Sequence, residues 1–125
     1  MNIVERRRSV LIVEDEILIS AIAADALQEL GFDAVEVCSA KAAMDQARSS
    51  NFDLALIDLG LPDRSGDELV ADLRTLQSNL PVIIATGYCD SALQNQFRSL
   101  RHLVILNKPH DCSQIHAAVA ALALR

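Results

Sequence analysis

The stretch Asn51-Phe52-Asp53-Leu54-Ala55-Leu56-Ile57-Asp58-Leu59-Gly60-Leu61-Pro62-Asp63 is an apolar run that ends abruptly in a carboxylate and a turn. A continuous apolar run bounded by turn residues reads as a strand buried on both faces, which is the mark of a central strand in a parallel sheet. Both faces of such a sheet must be covered, so the run constrains the architecture of the whole chain. It also puts Asp58 at a strand's carboxyl end, where open α/β sheets bind their ligands.

The pattern recurs. Ser9-Val10-Leu11-Ile12-Val13 breaks at Glu14-Asp15-Glu16, and Pro81-Val82-Ile83-Ile84-Ala85 stops at Thr86-Gly87-Tyr88. Leu103-Val104-Ile105-Leu106 stops at Asn107-Lys108-Pro109, while Phe32 to Val37 alternates as an edge strand should. Helical patterns fill the intervals. Ile17 to Leu30 carries a stripe of Ile19, Ala23, Ala26, Leu27 and Leu30, with Leu18, Ala21 and Ile22 left off it as apolar surface outside the core. Ser39 is an N-cap for Ala40 to Ser50, and Ser65 with Glu68 predicts a capping box for a helix from about Gly66 to Gln77 with Leu69, Val70, Leu73 and Leu76 inward. Asp90 to Leu100 has a thin apolar face and is expected to be the least stable helix. Asp111 with Gln114 caps a last helix built on Ile115, Ala118, Val119 and Leu122.

Five strand-helix repeats predict an α/β fold, a doubly wound five-stranded parallel sheet with five helices; a barrel of eight repeats would need about 250 residues. The 125 residues suit one domain, residues 9–125, behind a short lead-in of residues 1–8. Although 51% of the chain is hydrophobic, no apolar run approaches the roughly 18 residues of a membrane span. The basic start is not a secretory signal, so the expected location is cytoplasmic. A net charge of -6 argues against a nucleic-acid surface. Cys38, Cys89 and Cys112 are irregularly spaced and read as reduced thiols.

Strand ends of a parallel sheet share one edge, so Glu14, Asp15, Asp58, Thr86 and Lys108 are expected around one crevice. Carboxylates this close resist ionising together unless a pKa rises or a cation is held. With oxygen ligands alone the preferred ion is hard: Mg²⁺, or Mn²⁺ in its place, with Ca²⁺ less suited. Taken singly, these residues have plainer readings: solvated acids, a loop-capping threonine, a surface lysine. Their co-occurrence is what carries weight. His110 reads as a solvated loop histidine, and His102 and His116 have no partner nameable from sequence.

The segments Val10 to Glu16, Leu56 to Pro62, Ile84 to Gly87 and Leu106 to Pro109 closely resemble the signature segments of the receiver domains of two-component response regulators. The resemblance covers nearly the whole chain. It implies a flavodoxin-like sheet of order 2-1-3-4-5 and a phosphoacceptor role for Asp58, supplied by a sensor histidine kinase or histidine phosphotransfer protein. It further implies that Glu14, Asp15 and Asp58, with the Gly60 backbone carbonyl, hold Mg²⁺, that Thr86 and Lys108 contact the phosphoryl group, and that the Lys108-Pro109 bond is cis. The expected chemistry is confined to the protein's own aspartate.

Two departures matter. Many receivers have an aromatic residue three positions before the lysine, where this chain has Ile105, so Tyr88 becomes the candidate switch residue. Arg125 ends the last helix, so the expected form is a stand-alone receiver acting on a downstream protein partner. The Ala-rich face of that helix suits a partner or a homodimer. The alternatives are a binding module of the same fold that is not phosphorylated and a phosphatase with an aspartyl nucleophile. The phosphatase would need a general acid two residues after Asp58, where Gly60 stands.

Overall fold

The computed structural model describes residues 8–87, 91–97 and 100–124. The elements alternate strictly: β1 (Arg8–Val13), α1 (Ile17–Glu29), β2 (Phe32–Val37), α2 (Ala40–Ser49), β3 (Leu54–Asp58), α3 (Gly66–Leu76), β4 (Val82–Thr86), α4 (Ser91–Phe97), β5 (Leu103–Asn107) and α5 (Cys112–Leu122). All pairings are parallel and the sheet order is β2-β1-β3-β4-β5, the flavodoxin-like order expected. In this order β1 and β3 lie side by side at the point where the winding direction reverses, and ligand crevices open at that point.

Period-two alternation along the strands divides the core into two layers. Leu11, Val13, Ala55, Ile57, Val82 and Ile84 face one layer, where Ala43, Ala47, Leu69, Val70, Leu73 and Phe97 come down from α2, α3 and α4. Val10, Ile12, Leu54, Leu56, Ile83 and Ala85 face the other, against Ala23, Ala26 and Leu27 of α1 and Ile115, Ala118 and Leu122 of α5. Both β3 and β4 are buried at every position, which is why they read as unbroken apolar runs. Edge strand β2 keeps Asp33 and Glu36 exposed.

Three local expectations are corrected. Ser65 makes no side-chain cap to α3; its hydroxyl bonds the Asp67 carboxylate instead, and Glu68 turns to Arg64 at 3.7 Å. A nearby carboxylate and guanidinium outcompete the reciprocal box. Leu30 and Leu76 are each 44% exposed rather than inward, because each stands at its helix's end, and Ser20 and Ala24 join the buried face of α1 instead. The fourth helix is described over Ser91–Phe97, with Phe97 as its buried anchor, and Leu100, expected at its end, lies outside it and is 40% exposed; positions 90, 98 and 99 lie outside the described residues.

Other caps stand as expected. Ser39 accepts from the Ala42 N–H, and Asp111 with Gln114 forms a complete capping box. Asp63 adds an unforeseen one. Its two carboxylate oxygens accept the Ala40 and Lys41 N–H groups at 3.0 and 3.1 Å, tying the loop after β3 to the start of α2. Among the described residues no helix is long and apolar enough to cross a membrane.

Candidate functional site

Each strand of the inner sheet delivers its last polar residue to one edge. β1 runs straight into Glu14, whose N–H bonds the Val37 carbonyl at 3.0 Å, so the backbone stays strand-like while the side chain turns into the crevice. Asp58 closes β3 opposite Ala85 in register. Thr86 closes β4 opposite Asn107, and its carbonyl accepts the Lys108 N–H at 2.7 Å. Thus the residue that begins the Lys108-Pro109 turn is pinned to the end of the neighbouring strand. The Lys108–Pro109 peptide is cis, in line with the resemblance.

Glu14, Asp58 and Thr86 are all buried, whereas Asp15 is exposed. Oxygens of Glu14, Asp15 and Asp58 lie within 4.8 Å of one another. Lys108 spans from β5 across β4 to reach them: Nζ is 2.6 Å from Glu14 Oε1 and 3.4 Å from Asp58 Oδ2. A four-carbon stem is suited to that gap, since β5 lies two strand spacings, about 10 Å, from β3. The other Asp58 oxygen, Oδ1, accepts the Gly60 N–H at 3.0 Å, which fixes the rotation of the carboxylate.

The electrostatics follow from burial. Desolvation pushes the Glu14 carboxyl up to about 7; Asp58 adds to the rise, and the hydrogen bond from Lys108 offsets part of it. Burial works to lower the Lys108 pKa, but its bond to Glu14 and the charges of Asp58 and Glu14 outweigh that, and the net shift is upward. Lys108 therefore stays a cation. Two buried carboxylates against one ammonium leave an excess of negative charge, and the donors are all hard oxygens. That donor set fits a hard divalent cation such as Mg²⁺ and does not suit a softer one.

Glycines shape the approach. A Cβ on Gly60 would sit 3.7 and 3.9 Å from the two Asp58 oxygens, so its absence keeps that side of the carboxylate clear, and a Cβ on Gly87 would meet nothing within 4 Å. Gly66 is different. A Cβ there would stand 2.7 Å from Leu59 Cδ2, 2.8 Å from Leu59 Cα and 3.0 Å from the Asp58 carbonyl. The start of α3 is thus packed directly on the backbone that carries Asp58, a role that sequence reasoning missed. Only its place beside a capping serine marked it as a helix start.

The structure brings together Glu14, Asp15, Asp58 and Lys108, with Thr86 at the adjacent strand end. Tyr88, the candidate switch residue, lies outside the described residues. Ile105 is half-buried and packs against the layer formed by α2, α3 and α4. His110 is not a freely solvated loop residue: its Nδ1 is buried without a hydrogen-bond partner, and burial, with the Lys108 charge adding, lowers its pKa. His116, which had no nameable partner, lies beside Glu29 and Cys112.

The chain is similar to the sporulation initiation phosphotransferase F of Bacillus subtilis, 26% identical over 110 residues that make up 88% of this chain and 89% of that protein. It is also similar to the sensory transduction protein RegX3 of Mycobacterium tuberculosis strain H37Rv, 40% identical over 94% of this chain. The match takes in 51% of RegX3, so the chain spans about half the length of that relative. In three dimensions it superposes on the chemotaxis response regulator CheY4 of Vibrio cholerae with a TM-score of 0.85, covering 94% of this chain and 99% of that one at 20% identity. The fold is therefore shared even where few residues are. The family model of the response regulator receiver domain matches residues 10–120, a span that contains every element of the crevice, and the chain belongs to that family.

Proposed function

We propose that this receiver domain accepts a phosphoryl group on Asp58 from a phosphohistidine of a sensor histidine kinase or phosphotransfer protein, and that the acyl phosphate alters its contacts with a downstream protein in the cytoplasm. The observation that carries this reading is the meeting of a buried strand-end carboxylate with a lysine Nζ 3.4 Å away and an acidic pair within 4.8 Å.

In the proposed step an Asp58 oxygen forms the new P–O bond while the P–N bond to the donor imidazole breaks. The electron pair leaves on the imidazole nitrogen, which takes up a proton. Phosphoryl transfer runs through a loose transition state with charge on the equatorial oxygens, so positioning and charge neutralisation do most of the catalysis. Glu14, Asp15, Asp58 and the Gly60 carbonyl would hold a Mg²⁺ ion, which would neutralise charge on one of those oxygens. Gly60 N–H holds Asp58 Oδ1 and so orients the attacking carboxylate. Thr86 donates its hydroxyl to a second oxygen, and Lys108 exchanges its contact with Glu14 for a third. That exchange couples Lys108 to the end of β4, because the Lys108 N–H is bonded to the Thr86 carbonyl. This is the candidate switch, since the phosphoryl group adds about -1.5 to -2 charge. The reaction stays on the protein's own aspartate; Gly60 has no side chain to act as a general acid on an external ester.

The donor docking face is proposed at the start of α1. Ile17 and Leu18 are 82% and 79% exposed there and Ile22 is 49% exposed, an apolar patch immediately after Asp15 and Glu16.

Incubation with acetyl phosphate and Mg²⁺, followed by intact mass measurement, tests the reading. A one-phosphoryl increase that is labile in base, requires the divalent cation and disappears in Asp58→Asn is expected. Absence of the adduct in the wild-type protein, or its persistence in Asp58→Asn, would overturn it.

A further inference from the structure

A second group of ligand atoms lies away from the acidic crevice. Cys112 and His116 are four residues apart on the first turns of α5, so they share one helix face. Glu29, the last residue of α1, comes to meet them. Cys112 Sγ is 3.0 Å from Glu29 Oε2 and 3.4 Å from His116 Nε2, and His116 Nε2 is 3.3 Å from the same Glu29 oxygen. The three atoms form a closed triangle. Small side chains permit the approach: Ala23 and Ala26 of α1 pack with Ala118 of α5, which brings His116 Nε2 to 2.9 Å from the Ala26 carbonyl.

We propose that Glu29, Cys112 and His116 form a site for a borderline divalent cation of the Zn²⁺ class, with water completing the tetrahedron. Bond lengths of about 2.3 Å to sulfur and about 2.0–2.2 Å to nitrogen and oxygen put the ligand-to-ligand edges of a tetrahedral site at about 3.4–3.6 Å. The observed S–N and N–O edges of 3.4 and 3.3 Å are within about 0.2 Å of that, and the S–O edge of 3.0 Å must open by about 0.6 Å. Side-chain rotation suffices. A mixed thiolate, imidazole and carboxylate set selects Zn²⁺ over Mg²⁺, so the two sites on this chain differ in ligand softness and take different ions. Access is open, as Glu29 is 61% and His116 32% exposed. Binding replaces the thiol's bond to Glu29 and the imidazole's contact with Ala26, and it ties the end of α1 to the start of α5.

The test uses the untagged full chain with Cys38→Ser and Cys89→Ser, titrated with Co²⁺ in excess Mg²⁺. A thiolate-to-cobalt charge-transfer band with intense tetrahedral visible bands is expected at one equivalent, and Zn²⁺ should bleach both. Cys112→Ser should abolish the charge-transfer band. His116→Gln and Glu29→Gln should each weaken Co²⁺ binding by about tenfold or more, while Asp58→Asn should change nothing. Thermal melts of each variant verify folding. As a measurement that needs no ligand-removing variant, Zn²⁺ should protect Cys112 from alkylation in the wild-type chain, read by peptide mass. Absence of the band in the parent, unchanged affinity in His116→Gln, or equal alkylation with and without Zn²⁺ would overturn the site.

Discussion

Replacing Gly66 by alanine should damage both the fold and the acceptor, through a contact that no polar residue makes. The added Cβ would stand 2.7 Å from Leu59 Cδ2, 2.8 Å from Leu59 Cα and 3.0 Å from the Asp58 carbonyl oxygen. Carbon atoms pack at about 3.5–4.0 Å, so the two Leu59 contacts need about 0.7 Å of relief. Leu59 Cδ2 is the end of a flexible side chain and can rotate away. Leu59 Cα and the Asp58 carbonyl are backbone, so relief must come from moving α3 or the chain that carries Asp58. Overpacking of this kind costs about 1–3 kcal/mol. The higher helix propensity of alanine offsets at most about 1 kcal/mol, and the net expectation is a loss of about 1–2 kcal/mol, or a Tm lower by roughly 3–8 °C. The Asp58 carboxylate shifts with its backbone, and misplacement approaching 1 Å costs up to about a hundredfold in rate. Urea unfolding followed by circular dichroism reads the first effect, and the initial rate of Asp58 phosphorylation by acetyl phosphate reads the second. Gly87→Ala is the control, because its Cβ meets nothing within 4 Å. If Gly66→Ala unfolds at the wild-type urea midpoint and phosphorylates at the wild-type rate, the argument from close packing is wrong.

Other substitutions probe the electrostatics and the caps. Glu14 has a folded pKa near 7 against 4.5 for the free side chain, so without divalent cation it contributes no penalty below about pH 4.5, and stability is lost as pH rises from there to 7. Glu14→Gln measured in EDTA should match wild type at low pH and become more stable above neutrality, by about 1–2 kcal/mol once solvent screening at the open crevice is allowed for; a pH-independent difference would refute this. The Asp63 carboxyl is held low, first by the Ala40 N–H and then by the Lys41 N–H, so its support is present above the unfolded pKa and lost as pH falls through the folded one. Asp63→Asn should flatten the acid limb of a pH-denaturation curve. Ser39→Ala removes the acceptor for the Ala42 N–H and should cost about 1 kcal/mol in a urea titration.

The alternation of apolar runs and helical stripes carried the fold. The fully buried β3 and β4 had to be central, and alternating Phe32–Val37 had to be an edge. The acceptor edge followed from topology once the strands were placed, since parallel strands end on one side. The Asp111–Gln114 box was legible because nothing nearby competes for its atoms, whereas the Ser65–Glu68 box failed because Asp67 and Arg64 do. A local motif is only as reliable as its neighbours allow.

What the chain determines by itself is the order of elements and the identity of the residues at each strand end, since both depend on short-range periodicity and turn chemistry. Long-range approach is another matter. Gln77 accepts the Phe52 N–H at 2.9 Å and donates to the Ser50 carbonyl at 2.9 Å, a clamp between segments about 25 residues apart. Glu29 meets Cys112 across 83 positions. Lys108 chooses Glu14 at 2.6 Å over Asp58 at 3.4 Å. Such contacts depend on helix-to-helix distance and side-chain rotation to a few tenths of an ångström, quantities that arise from the packing of the whole core and leave no periodic trace in the order of residues.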